Sequence, residues 1–398
     1  MPEATPAPRA AASRLRIAVL GYVVRGPLGG MVWSNLQYLR GLARLGHDVF
    51  FVEDSDDHPS CYDPERGGTD VDPGYGLRFA ERVFRRIGFA GRWAYHDAHA
   101  GRWYGPDATG VVARCAEADL LLDLCGVNPL RGWTERIPVR VLVDQDPAFT
   151  QIRHLTQAHA RARALAHDAY FSFGANLGRP GCSVPDDGLS WRATRQPVVL
   201  DEWSAPSATP RGFFTTVMQW ESYAPAEYGG RRFEMKSASF LPYLDLPAAA
   251  GPVFELALGG ARAPRDLLRA RGWRLLDPVP LTRDPWTYER YLRASRAEFS
   301  VAKHGYVTTR SGWFSERSVA YLALGRPALV QDTGFTDWLP SGKGLLAFRT
   351  PDEAAAGVEE ILRDTPSHAR AARELAQAHF ASGPVLSELL EAAFAERS

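Results

Sequence analysis

The sequence predicts an α/β protein of two Rossmann-like domains in tandem, and three observations carry that prediction. Short β-branched runs alternate with stretches at helical spacing along most of the 398 residues, which is the rhythm of βαβ units on a parallel sheet. The alternation lapses once, at the Pro/Ser-rich "ATRQPVVLDEWSAPSATPRG" (193–212), and then resumes. The length favours two domains of ordinary size. With 45% apolar and 23% charged residues, each can bury a core.

The elements follow in order. "RIAVLGY", from Arg16, is a short buried strand, and "PLGG" breaks it. Met31, Leu36, Leu39, Leu42 and Leu45 then recur at helical spacing until Gly46 stops the helix. "HDVFFVED" is the next strand, completing a βαβ unit with a right-handed crossover. "ADLLLDLCG" (118–126), "VRVLVDQD" (139–146) and "AYFSFG" (169–174) extend the same sheet. Residues 54–112, rich in Gly, Asp, Pro and aromatics, read as an insertion that lines a site rather than one that builds the sheet. The second series is "GFFTTVMQW", "VFELALGG", "GWRLLD", "AEFSVAK", "PALVQD" and "GLLAF", with helices at about 233–244, 286–294 and 315–324. The first domain is assigned to 14–195 and the second to 212–380.

Composition removes several classes of function. Lys+Arg and Asp+Glu both number 46, whereas a nucleic-acid or anionic-membrane partner usually leaves a basic excess. The four cysteines, Cys61, Cys115, Cys125 and Cys182, form no CxxC pair and suit a reducing compartment. "MPEATPAPRAAAS" has no apolar segment and reads as a disordered leader, not a signal peptide. No run of about 18 apolar residues is present to span a membrane. The expectation is a soluble cytoplasmic protein that binds no nucleic acid, with a homodimer allowed.

Several polar constellations stand at strand ends, where ligands of such sheets bind. The loop Gly26-Pro27-Leu28-Gly29-Gly30 lets backbone N–H groups approach a phosphate or carbonyl at a helix N-terminus. Glu53 and Asp54 follow the second strand like the ribose-binding acid of a dinucleotide domain, but the loop is not GxGxxG. Two Asp-x-Asp triplets occur, Asp54-Ser55-Asp56 and Asp144-Gln145-Asp146. Carboxylates so spaced could hold Mg²⁺ or Mn²⁺ against a diphosphate, and Asp146 could face the cleft, with His154 in the same pocket. Arg231 and Lys236 lead into a helix whose dipole repels cations, an arrangement that an anion between them would explain.

The stretch "SVAKHGYVTTRSGWFSERS" (300–318) reads as strand end, loop and helix start, with Ser315 as N-cap. It supplies Lys303, Arg310, Glu316 and Arg317, a set suited to a diphosphate plus a diol. Asp332-Thr333-Gly334 ends the next strand on the same rim. Trp93, Tyr95, Trp103 and Tyr104 could stack on an acceptor or form loop core.

With these residues placed, nearly the whole chain resembles GT-B glycosyltransferases, in particular family-4-like bacterial enzymes. The "GG" loop and "LARLGHDV" resemble "aLarrGHeV", and "SERSVAYLALGRPALVQDTGFTDWLPSGKGLLAF" resembles the "EAmAcGxPVvatdxGGxxEli…GxGllv" block. "SVAK…SGWFSERS" and "DxDP" resemble one branch of these proteins. The resemblance implies a closing helix within 381–398 that crosses back to the first domain. It also implies transfer of a sugar from a nucleotide diphosphate sugar, as co-substrate, to a small-molecule or glycan acceptor, with no other cofactor; with cations neutralising the diphosphate, no metal is expected.

The donor residues implied are Arg231, Lys236, Lys303, Arg310, Ser315, Glu316, Arg317, Asp332, Thr333 and Gly334. The acceptor side is Gly29, Gly30, Asp144, Trp93 and Trp103, with Asp146 and then His154 as the groups that orient or deprotonate the acceptor hydroxyl. The chain departs from the pattern where the ribose-gripping Glu falls on Ala320 and the first Glu of ExxxxxxxE falls on Gly312. Rival readings are a metal-dependent DxD transferase, an NAD-dependent oxidoreductase built on Glu53, and a non-catalytic sugar or nucleotide binder.

Overall fold

The computed structural model describes residues 14–203 and 212–395. The leader and residues 204–211 of the Pro/Ser-rich link lie outside the described residues. The first sheet is built from β1 (Arg16–Leu20), β2 (Asp48–Asp54), β3 (Trp93–Asp97), β4 (Arg102–Tyr104), β5 (Leu120–Leu124), β6 (Val139–Asp144), β7 (Ala169–Ser172) and β8 (Trp191–Ala193). Its eight strands lie in the order β8-β7-β6-β5-β1-β2-β3-β4. All neighbours are parallel except β3 and β4.

The second sheet comprises β9 (Phe214–Gln219), β10 (Phe254–Gly259), β11 (Arg274–Leu276), β12 (Ala297–Ser300), β13 (Ala328–Gln331) and β14 (Leu345–Phe348). It is parallel throughout, in the order β11-β10-β9-β12-β13-β14. Two small hairpins, 61–70 and 226–233, stand outside both sheets.

The strands form where the β-branched and aromatic runs lie, because a parallel sheet covered on both faces buries every residue of its central strands. Ile17, Val19, Leu120 and Leu122 face one core while Ala18, Leu20 and Leu121 face another. In the second domain Phe214, Leu256, Leu258 and Phe299 pack against Val358 and Ile361. Each sheet reverses strand order once, between β1 and β5 and between β9 and β12. The loops at the carboxyl ends beside those switch points are where such sheets bind ligands.

Two expectations are corrected. Residues 54–112 do build the sheet: β3 and β4 extend it, and the intervening helix Gly74–Arg86 buries Phe79, Val83 and Phe84 in its core. Trp93 is accordingly 2% exposed and stacked on Phe84, with ring centroids 5.4 Å apart. It is core, not an acceptor platform. The segment after Lys303, read as loop, forms the short helix His304–Thr309, ended by Arg310 in the left-handed region (φ 49°).

The chain crosses between domains twice, and the crossings pair. Val198 bridges Ala381, donating to the Phe380 carbonyl at 2.7 Å and accepting from Ser382 at 2.9 Å. Before the second crossing, helix Thr365–Phe380 lies on helix Glu316–Ala323 of the second domain. After it, helix Ser382–Ala395 packs on α1 (Gly29–Arg44) of the first, close enough that a Cβ on Gly41 would lie 2.5 Å from Leu386. Arg195 and Glu388 close this contact with an ion pair.

Candidate active site

Chain segments that leave the carboxyl ends of the two sheets meet, and their charged groups fall into two sets. One set is saturated with partners. β6 ends on Asp144, a buried carboxylate that accepts from Thr150 Oγ1 and Ser172 Oγ at 2.7 Å each, from Gln151 Nε2 at 3.2 Å, and from the Asp146 N–H. Burial pushes its pKa up against those hydrogen bonds. Ala148, at φ 72°, completes the turn and donates its N–H to Gln151. The Asp144 carboxylate is thus satisfied within the first domain.

Asp146 instead reaches the other domain. Its Oδ1 accepts from Lys303 Nζ at 2.7 Å and from the Tyr306 hydroxyl, and its Oδ2 from the Tyr223 hydroxyl at 2.5 Å and from Arg153 at 3.3 Å. Lys303 also donates to Tyr223 at 2.7 Å. Burial would raise the Asp146 pKa, but Lys303 and Arg153 outweigh it and hold the carboxyl below its usual range. A carboxylate engaged by four donors is a weak base in this arrangement.

The pocket expected to join His154 to Asp146 is not formed. His154 hydrogen-bonds Asp187 at 2.7 Å and stacks on Trp191 at the edge of its own sheet.

The second set is unsatisfied. Lys236 begins helix Lys236–Phe240 and is 9% exposed, yet among the described residues it has no hydrogen-bond or ion-pair partner. Burial lowers its pKa to about 7, and Arg317 and Lys303 push the same way. Glu316 opens helix Glu316–Ala323, whose N-cap Ser315 accepts the Arg317 N–H at 3.2 Å. Its carboxylate, close enough to Lys236 to raise that lysine's pKa slightly, also has no partner among the described residues. Lys303 is paired with Asp146 and Arg317 with Glu298, so Lys236 is the cation of this group left without an ion-pair partner among the described residues.

The remaining predicted residues have structural partners. Arg317 is held by buried Glu298 at 2.7 Å, Ser300 at 2.6 Å and the Val217 carbonyl at 3.1 Å, so its charge is present but its donors are engaged. Arg310 pairs with Asp337 at 3.0 Å, and Arg231, on the exposed 226–233 hairpin rather than at the helix, reaches Ser183 of the first domain at 3.2 Å. Asp332 accepts from the Gly334 N–H and from Arg349, and the Thr333 hydroxyl donates to the Trp313 carbonyl. The Gly334 carbonyl accepts from Asn176 at 2.9 Å, so this turn docks the first domain.

The glycine loop has a similar explanation. A Cβ on Gly29 would stand 2.4 Å from the Asp284 carbonyl oxygen, and one on Gly30 3.2 Å from the Tyr288 ring. Trp33 Nε1 donates to the Pro285 carbonyl at 2.6 Å. The two glycines therefore admit helix Pro285–Ala294 of the second domain against α1. Trp103 lies half-buried between His96 and Trp133.

Glu53 accepts three backbone N–H groups, from Val23, Val24 and Arg25, at 2.7–2.8 Å. It fixes the loop after β1 and is not available to a ribose, which removes the basis of the NAD reading. The oxygens of Asp144 are likewise engaged, which weakens the DxD metal reading.

Sequence reasoning missed Tyr223, Tyr306, Arg153 and Glu298. Tyr306 had a signal, since three residues after Lys303 at a helix start places both on one side. Tyr223 lies in an irregular segment and had none.

Comparison of the sequence with family models and with curated proteins gives no match. Comparison of the structure does. An alpha-glucosyltransferase in complex with UDP and a 13-mer DNA superposes with TM-score 0.58 at 11% identity, covering 96% of this chain and 100% of that one. Anabaena Alr3699/HepE in complex with UDP and glucose superposes with TM-score 0.55 at 11% identity, covering 95% and 99%. AviGT4, a glycosyltransferase of avilamycin A biosynthesis, gives 0.51 at 13% identity, covering 95% and 97%. The chain has the GT-B fold of these enzymes over nearly its whole length.

Proposed function

We propose that this chain is a glycosyltransferase that moves a sugar from a nucleoside diphosphate sugar to a hydroxyl of a small-molecule or glycan acceptor. The observation that carries the reading is Lys236, a buried cation without a partner among the described residues, near Lys303 and Arg317 in the second domain of a GT-B fold. Neighbours with this fold are described with UDP bound.

The leaving diphosphate is the largest charge to develop in the transition state, and fixed cations in a site of low water content stabilise it most. Lys236 and Lys303 supply that charge, Arg317 adds to the local potential, and Glu316 accepts from a donor hydroxyl. Arg231 and Arg310 stand on the rim. Ser315 and the Asp332-Thr333-Gly334 turn hold the donor side in shape.

Transfer of Lys303 from Asp146 to the arriving diphosphate removes one of the two hydrogen bonds on Asp146 Oδ1 and opens that position to an acceptor hydroxyl, with Tyr306 on Oδ1 and Tyr223 on Oδ2 still orienting the carboxylate. The acceptor lies against the Gly29–Gly30 edge, the Asp144 corner and Trp103. Because cations do the neutralising, the reaction is metal-independent. Four unpaired thiols support a cytoplasmic setting, and the zero net charge supports a small acceptor over nucleic acid.

A thermal-shift panel of UDP, GDP, CDP, ADP and dTDP tests the reading, since a bound ligand raises the melting temperature in proportion to its affinity and concentration. At least one is expected to stabilise the wild type and not Lys236→Met. A panel with no effect on the wild type would sink it.

A further inference from the structure

The carboxyl edge of the first sheet is covered at one end and open at the other. Leu142, Asp123, Leu20, Val52 and Ala94 stand in one row across β6, β5, β1, β2 and β3. Asp144 and His96 each lie two residues beyond that row, so they share one height and one face of the sheet. Four strand spacings separate them, about 19 Å. At the β6 end the second domain closes over the edge, with Lys303 on Asp146 and Trp313 Nε1 on the Gln145 carbonyl at 3.1 Å. At the β3 end, the side-chain partners of Asp54, His96, Trp103 and Arg131 among the described residues all belong to the first domain. Between the ends, Cys125 follows β5 and is exposed, so the row is open along its course.

The β3 end sets a fixed polar atom beside an aromatic surface. The Asp54 carboxylate accepts from Arg131 Nε and Nη2 at 3.1 and 3.0 Å, from the Asp56 N–H at 2.8 Å and from His96 Nδ1 at 2.7 Å. Burial would raise the Asp54 pKa, but the hydrogen bonds from His96 and Arg131 outweigh it and hold the carboxyl below its usual range. An ionised carboxylate only accepts, so Nδ1 carries the proton and Nε2 is the ring's free hydrogen-bonding atom. Nε2 has no partner among the described residues, and the side chain is 19% exposed. Trp103 lies against the His96 ring, centroids 4.8 Å apart, and against Trp133 at 5.4 Å, and both indoles are half-buried. Arg131 is neutralised by Asp54 and Asp57, and Arg163 by Asp56, so the patch offers an anion no unpaired cation.

We propose that His96 and Trp103 form a distal acceptor subsite, which binds one sugar ring of an oligosaccharide whose reacting end lies at Asp146. The inference rests on the transferase reading above and narrows its acceptor to a glycan. A pyranose presents an apolar C–H face and a rim of hydroxyls. The half-exposed indole matches the face, and the immobilised Nε2 matches the rim, since a hydroxyl both donates and accepts. The paired charges around them favour a neutral chain. Distance sets its length: a monosaccharide does not bridge about 19 Å, so a ligand that touches both ends has several linked rings.

The test is an array of neutral oligosaccharides graded in length from monosaccharide to hexasaccharide. It is probed with the full chain, alone and with the nucleoside diphosphate selected by the thermal-shift panel. Wild type is expected to retain the longer chains and no monosaccharide. Trp103→Ala removes the stacking face, and His96→Phe keeps a ring but removes Nε2. Each is expected to weaken retention of the longer chains about tenfold, with melting temperature and nucleotide affinity confirming that the rest of the molecule is intact. A wild type that binds a nucleoside diphosphate but retains no chain, or retains monosaccharides as well as long chains, would overturn the subsite and leave the transferase reading standing. Folded variants that keep wild-type retention would do the same. Retention of long chains by a wild type that binds no nucleoside diphosphate would remove the transferase reading and keep the glycan site.

Discussion

Asp146 and Lys236 both lie near Lys303 and are built in opposite ways. Asp146 is surrounded by Lys303, Tyr223, Tyr306 and Arg153, every oxygen occupied. Lys236 is more deeply buried and has no partner among the described residues. A saturated cluster lowers the energy of the protein as it stands, whereas an unpaired buried charge raises it and is relieved by losing its proton or by an anionic ligand. The first therefore joins the domains, and the second is the group that the proposed function assigns to the donor diphosphate.

Four outcomes break or sharpen that contrast. Lys236→Met is expected to lower kcat by about 10²–10³, the usual cost of removing one preorganised charge-stabilising group. Its melting temperature should be unchanged or higher, because an unpaired buried cation has been removed. Loss of stability together with unchanged kcat would reverse the assignment.

Asp146→Asn should behave the other way and destabilise the fold by about 2–3 kcal/mol in denaturant unfolding, since charge-assisted hydrogen bonds are lost. The double variant with Lys303→Met should cost less than the sum of the singles. An additive result would mean that the pair is not coupled.

The third outcome concerns pH. Burial depresses the Lys236 pKa to about 7, so the unfolded state binds this proton more tightly than the folded one. Stability should rise with pH from about 7 toward the unperturbed lysine value near 10.4, and level off below 7. UDP affinity should show the opposite trend, falling up to about tenfold per unit above pH 7 as the cation is lost. Lys236→Met should abolish both slopes.

The smallest effect is expected for His154→Ala, about 1 kcal/mol of stability with kcat within about twofold, because its partner is Asp187 rather than the cleft. A large kcat loss would return His154 to the reaction.

The same contrast marks what the sequence made legible. Strand runs such as "RIAVL" and "FELALG" and the switch between the two α/β series follow from local patterning, because a parallel sheet forces continuous apolar runs. The short edge strands at 93–104 were not legible, since their aromatics suit a loop equally well.

Lys236, Lys303 and Glu316 are read from position alone as one donor-side group, and the structure brings them near one another. Which of them is paired cannot be read that way, because the partners of Lys303 stand 80 and 157 residues away, at Tyr223 and Asp146. The glycine loop shows the limit most plainly. Gly29 and Gly30 read as a ligand loop, and the structure gives them a tight contact with Asp284 and Tyr288 of the other domain. Sequence identifies a need for close approach but not the object that approaches.

The most direct test of the central claim is calorimetric titration of UDP at pH 8 in two buffers of different ionisation enthalpy. If Lys236 is the waiting cation, wild type takes up a substantial fraction of a proton on binding, up to about one. Lys236→Met should take up none and bind about 100-fold more weakly. Equal affinity in the two proteins, with no proton uptake in either, would contradict the account.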